Sequence, residues 1–210
     1  MPYELLNFSV NGYDPIQKAI VLDSTMLGFN LDAVYIFCHR IEKTWIVDHL
    51  VQRVKGGKAL PDPFVEEIVK KSGVTPDMDN AVLKIRLSAY GSELLEWSLI
   101  KFAESCRVKG VKTAFIYMPE KGRVSFSDND IKELFDIAKE AGFDIIEDYS
   151  GAYKGYPDKE IQVSDFDDHP NALAHRLLAE HLYETIKTHD AELAGGAVAQ
   201  GQPDAATAAQ

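Results

Sequence analysis

Short runs of apolar residues recur along the chain at wide spacing. Three of them, within 32–39, 112–119 and 144–149, are rich in β-branched and aromatic residues. The first two are uninterrupted apolar runs, which are typical of a strand that is covered on both faces, as in a parallel sheet. A fourth run, at 3–10, comes just before Gly12. The pattern therefore predicts four strands, the first of them near the start of the sequence.

Longer stretches with apolar residues at helical spacing lie between these runs. Asp14 suits the N-cap of the first helix and Pro15 its first turn. The predicted helices run from Pro15 to Gly28, over 41–72 with a break at Gly56 and Gly57, over 81–109 with a break near Gly91, from Asp128 to Gly142, and from Pro170 to about Lys187. Residues 75–80, 120–130 and 150–168 are predicted to be loops.

Strands and helices thus alternate along the chain. Such alternation predicts an α/β fold with a mainly parallel sheet and right-handed crossovers. From Thr188 onward the sequence consists mainly of alanine, glycine, glutamine and other small or polar residues, and it offers few large apolar side chains for burial. We therefore expect one folded domain over 1–187 and a disordered tail over 188–210.

Composition narrows the classes of function. The 210 residues include 22 Lys and Arg against 33 Asp and Glu, a net charge of −11. An acidic surface repels phosphate backbones, so the charge argues against nucleic acid as a partner. The apolar runs are shorter than the roughly 18 residues that cross a bilayer, and the first residues lack a signal-peptide pattern, which predicts a cytoplasmic location for the chain as written. Cys38 and Cys106 lie in apolar contexts and are predicted to be buried free thiols.

The segment 165–179 is the most informative for chemistry. It reads DFDDHPNALAHRLLA, so Asp167 precedes His169 by two residues. The helix predicted from Pro170 would hold both residues at the mouth of a loop. A carboxylate that bonds one imidazole nitrogen fixes the tautomer, and the other nitrogen is then able to take a proton from a hydroxyl. The pattern therefore favours a catalytic histidine with an orienting carboxylate.

This segment resembles the last conserved block of the SGNH (GDSL-type) ester hydrolases, in which Asp and His precede Pro-Asn and a helix. The resemblance places Asp167 at the acid position and His169 at the base position. It extends forward to LNFSVNGY, where Gly12 matches the glycine whose N–H helps to form the oxyanion hole. The strand within 32–39 is similar to the one before the family's third block, and His39 stands near the place of that block's oxyanion-binding asparagine.

The resemblance implies a flavodoxin-like, doubly wound sheet with helices on both faces. It also implies a serine hydrolase that transfers an acyl group from an ester to water without a cofactor. The family's nucleophile follows its first strand in a Gly-Asp-Ser sequence, and this chain starts at the second block. We therefore expect the first strand and the usual nucleophile to be missing. Ser24 is predicted to be a helix residue, and Ser9 lies in the wrong block, so the nucleophile stays unassigned.

Several alternatives remain open at this point. The chain is either an ester hydrolase acting on a small-molecule or carbohydrate ester, or an inactive module or gene fragment that binds a partner chain at a sheet edge left exposed. The polar side chains of 165–169 form either the family's site or a solvated acidic loop, with a hard-cation site as a third alternative. Gly12 is either an oxyanion donor or a turn glycine, and His39 either an oxyanion donor or a structural histidine. Neither a metal nor a cofactor is predicted.

Overall fold

The computed structural model describes residues 4–118 and 128–199. The chain divides into two compact units. Among the described residues, the first unit holds 4–118 and 128–148, and the second holds 149–199. The boundary between the two units falls inside the single domain predicted over 1–187.

The first unit is built on a three-stranded parallel sheet. Its strands lie in the order β1 (Ala33–Cys38), β2 (Lys112–Tyr117) and β3 (Ile145–Asp148). Each of them falls in one of the segments predicted as a strand, so these three predicted strands are confirmed. The mixed α/β class with a parallel sheet is confirmed as well.

Burial along β1 differs from the prediction. Val34, Ile36 and Cys38 are buried, whereas the residues between them are only half-buried. Successive side chains of a strand point to opposite faces, so one face of β1 is covered more fully than the other. Among the described residues β1 pairs with β2 alone, which leaves it at the edge of the sheet. It has neither a charged residue nor a proline to protect that edge, and a partner chain there stays a prediction.

The helices of the first unit lie close to their predicted bounds. They are α1 (Pro15–Ser24), α2 (Glu42–Lys55), α3 (Pro63–Ser72), α4 (Asn80–Ser88), α5 (Gly91–Val108) and α6 (Asp128–Glu140). The two predicted breaks separate α2 from α3 and α4 from α5. α1 ends before Gly28, and a separate 3₁₀ turn, Met26–Gly28, follows it. α5 packs against α1, α2, α6 and β2, and this packing joins the helices to the sheet.

The start of α1 follows the predicted capping pattern. The Asp14 carboxylate accepts a hydrogen bond from the backbone N–H of Gln17, and the Gln17 side chain accepts one from the backbone N–H of Asp14. Pro15 occupies the first turn, where its missing N–H costs nothing. This reciprocal capping box satisfies two of the backbone donors that a helix start leaves without partners.

The strand predicted over 3–10 is wrong for the described part of that segment. Residues 4–10 form neither strand nor helix, and Leu5, Leu6 and Val10 are exposed. An apolar run becomes a strand only where a neighbouring strand takes its backbone N–H and C=O groups. Among the described residues no strand lies beside this segment.

The second unit contains more regular structure than the loop predicted over 150–168. A 3₁₀ turn (Tyr149–Tyr153) is followed by α7 (Asp158–Ile161) and by an antiparallel hairpin of β4 (Gln162–Ser164) and β5 (Asp167–Pro170). The loop prediction is therefore wrong. Tyr153 and Ile161 are buried and anchor the segment, although few apolar residues surround them in the sequence.

The last helix, α8 (Ala172–Ala199), begins two residues after the predicted start at Pro170. Pro170 is the last residue of β5, and Asn171 provides the cap, since its Oδ1 accepts from the backbone N–H groups of Leu173 and Ala174 at 3.0 and 3.1 Å. α8 continues past Lys187 into the predicted tail. The remainder of that tail, and most of the loop predicted over 120–130, lie outside the described residues. None of the helices within 4–118 and 128–199 combines the length and apolarity that crossing a bilayer requires.

Candidate functional site

The Asp167 and His169 side chains are in direct contact. The two residues are two apart on β5, a spacing that places both side chains on the same face of the strand. Asp167 Oδ1 lies 2.6 Å from His169 Nδ1 and 3.0 Å from the backbone nitrogen of His169. An ionised carboxylate only accepts hydrogen bonds, so Nδ1 carries the proton and Nε2 is left as an acceptor. The His169 side chain is 88% exposed, and that of Asp167 is 47% exposed. The imidazole is therefore accessible to a substrate.

Two donors hold the Asp167 carboxylate in its ionised form. The backbone N–H and the imidazole of His169 both bond to it and together lower the pKa of Asp167 below its ordinary value, against a small opposing effect of burial. An ionised Asp167 holds the neutral imidazole of His169 in the tautomer that carries its proton on Nδ1. The half-exposed setting lets water compete for the same hydrogen bonds, which limits how firmly the imidazole is held.

Asn171 ties the strand that carries the pair to its neighbours. Its side-chain Nδ2 donates to the carbonyls of Glu160 and Gln162 at 2.8 and 3.0 Å, and its backbone N–H donates to the carbonyl of Ile161 at 3.0 Å. Ile161 is buried, so these bonds fix the end of β5 to the core of the second unit. Together with the cap on α8, they make Asn171 a positioning residue for the Asp167–His169 pair. The sequence pattern marked Asn171 only as a member of the motif.

The other carboxylates of the acidic loop lie at the surface. Asp165, in the turn, and Asp168, on β5, are both exposed. Within the ranges that the structure describes, no group of three or more His, Cys, Asp or Glu side chains is placed to hold a metal ion. The hard-cation alternative therefore has no ligand set among these residues.

A buried ion pair lies at the carboxyl end of β1, in the first unit. Lys18 Nζ is 2.7 Å from Glu42 Oε1 and donates to the Phe37 carbonyl at 2.9 Å. The same carboxylate oxygen accepts from the backbone N–H of His39 at 2.9 Å. The ion pair thus bonds the Phe37 C=O and the His39 N–H, the backbone groups at the end of β1 that face away from β2. Sequence reasoning missed this ion pair. The feature that could have indicated it is a lysine among the apolar residues of α1.

Burial dominates the electrostatics of this pair. The Glu42 side chain is 1% exposed, and its Oε2 has no hydrogen-bond partner among the described residues. Burial raises the pKa of Glu42, and the charge and hydrogen bond of Lys18 offset that rise only in part. Burial alone would lower the pKa of Lys18, but nearby acidic groups, Cys38 and Glu42 foremost, and the hydrogen bond to Glu42 outweigh that effect and raise it. Lys18 is therefore a permanent cation that compensates a buried carboxylate.

A second Asp–His contact occurs in the first unit. Asp14 Oδ2 lies 2.7 Å from His49 Nδ1, and the other carboxylate oxygen accepts from the Gln17 backbone N–H. Asp14 is buried and already serves as the N-cap of α1, so the contact fastens the start of α1 to α2. The sequence around His49 did not indicate this contact. We treat it as structural, and it supplies a matched control for His169.

His39 is largely buried near the end of β1. Burial, followed by the charge of Lys18, lowers the pKa of His39 to about 4, although a hydrogen bond with the backbone of Met118 acts in the opposite direction. His39 is therefore a neutral imidazole at physiological pH. A neutral imidazole still donates one hydrogen bond, which agrees with either of the two roles considered for it in the sequence.

We expect the free energy of unfolding to fall as the pH is lowered from about 6.5 to about 4. The unfolded chain takes up a proton at His39 below its ordinary pKa, whereas the folded chain takes it up only near pH 4, so protonation favours the unfolded state across this window. Urea unfolding of the wild type and His39→Gln at pH 7 and pH 4 measures the effect. The wild type should lose more stability than the variant, by on the order of 2 kcal/mol. Equal losses would contradict the assignment.

Gly12 has a conformation that by itself accounts for the glycine. Its φ is +78°, in a turn closed by the Tyr13 N–H and the Val10 carbonyl at 3.2 Å. Glycine adopts this left-handed conformation without the strain that a Cβ would bring. The turn is thus explained without an oxyanion, and the oxyanion role of Gly12 stays a prediction.

Ser24 is the last residue of α1, as predicted, and it is not placed as a nucleophile. Its Oγ lies 3.3 Å from Thr25 Oγ1. It lines a groove of about 820 Å³ in the first unit, together with Lys101 and Asp62, whose charged groups lie 3.2 Å apart. None of the described residues that line this groove is a histidine, so Ser24 has no imidazole base there. Cys38 and Cys106 are buried free thiols, as predicted, and burial raises the pKa of Cys106 to about 12.

The predicted site residues are divided between the two units. Gly12 and His39 belong to the first unit, and Asp167 and His169 belong to the second. Of these four, the structure brings Asp167 and His169 into contact, in the arrangement of an orienting acid and a base. No family model matches the chain, and neither a curated protein nor a solved structure is significantly similar to it. The SGNH resemblance therefore stays a prediction from the residues that carry it.

Proposed function

We propose that the second unit carries the acid–base pair of an SGNH-type ester hydrolase, with Asp167 as the orienting acid and His169 as the general base. The supporting observation is the 2.6 Å contact between Asp167 Oδ1 and His169 Nδ1, which leaves Nε2 as an accessible acceptor. Ester hydrolysis needs a base that takes a proton from a hydroxyl as that hydroxyl attacks the carbonyl carbon. A histidine held in this tautomer meets the requirement.

The proposed reaction consists of two acyl transfers. In the first, a serine Oγ attacks the ester carbonyl, His169 Nε2 takes the hydroxyl proton, and His169 returns it to the alcohol oxygen as the ester C–O bond breaks. In the second, His169 takes a proton from the water that attacks the acyl-serine, and gives it to the serine Oγ as the carboxylic acid leaves. Asp167 stays ionised throughout and stabilises the imidazolium. The proposal does not assign the serine, which peptide mapping would identify.

The proposal includes the finer fold that the resemblance implies. A parallel sheet with strand order β1-β2-β3 is compatible with a flavodoxin-like sheet that carries helices on both faces. The oxyanion-hole roles of Gly12 and His39 stay predictions from the sequence resemblance. For His39, the support is that its imidazole is neutral and able to donate a hydrogen bond.

Asp167→Asn is expected to lower kcat for p-nitrophenyl acetate by about ten- to a hundredfold. An amide neither holds the His169 tautomer in the required form nor stabilises an imidazolium, although water replaces part of the effect at this half-exposed site. Asp168→Asn is the matched control, since it removes the same charge from the adjacent exposed residue and should leave kcat near that of the wild type. Similar rates for the two variants would contradict the role of Asp167.

A further inference from the structure

The tip of the β4–β5 hairpin exposes an aromatic side chain. Phe166 lies in the two-residue connection between Ser164 and Asp167 and is 95% exposed, and the nearby Val163 is exposed as well. An exposed phenylalanine gives up the stabilisation that burial of its ring would bring. Two-residue hairpin turns favour Gly, Asn and Asp, so formation of the turn does not account for a phenylalanine.

This ring lies next to the proposed base. Phe166 directly precedes Asp167, and His169 lies three positions beyond Phe166 in the chain. Because extended chain spans at most about 3.6 Å per residue, the Cα atoms of Phe166 and His169 lie within about 11 Å of each other. A medium-length acyl chain is long enough to span the separation between these two backbone positions.

The charges around the tip restrict what the ring can bind. Asp168 is exposed, and the pKa of Asp167 is lowered, so the Asp167 carboxylate is ionised. A carboxylate or phosphate on the substrate would be repelled by these side chains. A neutral apolar group meets no such repulsion and gains from contact with the phenyl ring.

We propose that Phe166 binds the acyl chain of a neutral, apolar ester beside the Asp167–His169 pair. This inference rests on the function proposed above, because it uses the same base. It specifies a substrate class, esters of uncharged medium-length acyl chains, in place of short or anionic acyl groups. Phe166 thereby becomes a specificity residue of the site.

The test compares kcat/KM for p-nitrophenyl octanoate and p-nitrophenyl acetate, both kept below micelle-forming concentrations. The ratio of kcat/KM for octanoate to kcat/KM for acetate should fall about tenfold in Phe166→Ala. Loss of the apolar contact between the ring and a bound acyl chain accounts for a change of that order. Ile85→Ala is the matched control, because Ile85 is another apolar side chain that is 74% exposed but belongs to the first unit. Its ratio should equal that of the wild type. An unchanged ratio in Phe166→Ala, with both esters hydrolysed, would overturn the inference and leave the proposed function standing.

A binding measurement separates the two proposals when turnover is absent. Saturation-transfer NMR with methyl octanoate on His169→Ala is expected to show transfer from protein to ligand that disappears in the double variant His169→Ala/Phe166→Ala. Equal transfer in the two proteins, or none in either, would overturn the role of Phe166. If wild type hydrolyses neither ester while transfer still depends on Phe166, the proposed hydrolase function fails and binding at Phe166 is supported.

Discussion

His169→Ala is expected to lower kcat/KM for p-nitrophenyl acetate by about 10³–10⁴-fold. Without the imidazole, no group in contact with Asp167 takes the proton from the attacking hydroxyl, and none returns it to the leaving alcohol. His169 is highly exposed, so its removal should leave the unfolding transition close to that of wild type. A loss of rate without a loss of stability is the signature of a base.

The control for this variant is His49→Ala. His49 also bonds an aspartate through Nδ1, at 2.7 Å, but it belongs to the first unit and supports the cap of α1. We expect His49→Ala to lower stability and leave kcat/KM near that of the wild type. Added imidazole should restore part of the lost rate to His169→Ala and none to Asp167→Asn. Retention of full activity by His169→Ala would rule out its role as the base.

Lys18→Met is expected to lower the free energy of unfolding of the first unit by about 3 kcal/mol at pH 7. The substitution keeps the apolar stem of the side chain but removes the cation that compensates the buried Glu42. Glu42 then keeps one bond, from the His39 backbone N–H, for two buried oxygens. Both tryptophans, Trp45 and Trp97, lie in the first unit, so urea unfolding followed by tryptophan fluorescence reports on this unit.

The pH dependence of the stability loss in Lys18→Met identifies the cause of that loss. Without Lys18, the pKa of Glu42 rises further, and the folded variant binds more protons than the unfolded chain above the ordinary pKa of glutamate. The penalty should therefore be small near pH 4 and grow as the pH rises to 7. Lys18→Met/Glu42→Leu removes the uncompensated charge and should recover most of the loss. A penalty that is constant with pH and unrelieved in the double variant would show that packing, and not charge, is responsible.

β1 and β2 could be predicted from the sequence because each is a continuous apolar run, and β3 because it begins with two adjacent isoleucines. β2 buries five of its six residues and β1 buries every second one, so their pattern is strong and local. Residues 4–10 have a similar composition but lack a neighbouring strand among the described residues, and composition does not report whether a partner is present. The hairpin of the second unit shows the opposite case, in which polar segments form strands. Its strands, QVS and DDHP, are mostly polar, and their pairing depends on the anchor at Ile161 and the hydrogen bonds of Asn171.

The candidate site divides in the same way. The contact of Asp167 with His169 follows from their spacing of two residues, which can be read from the sequence. In an extended backbone, this spacing places the two side chains on the same face. The Lys18–Glu42 pair joins residues 24 apart that meet only after α1 and α2 pack at the end of β1. No local sequence pattern predicts this tertiary contact. The contact of Asp14 with His49 depends on packing between the same helices, so sequence reasoning found the cap and missed the histidine.

The most direct test of the proposed function is fluorophosphonate labelling of the full chain, followed by peptide mapping. We expect labelling at one serine in the wild type, its loss in His169→Ala and its retention in His49→Ala. This result would identify the nucleophile and show that His169 activates it. A wild-type chain that is folded by tryptophan fluorescence and circular dichroism but shows no labelled serine would contradict the proposal that this polypeptide is a serine-type ester hydrolase.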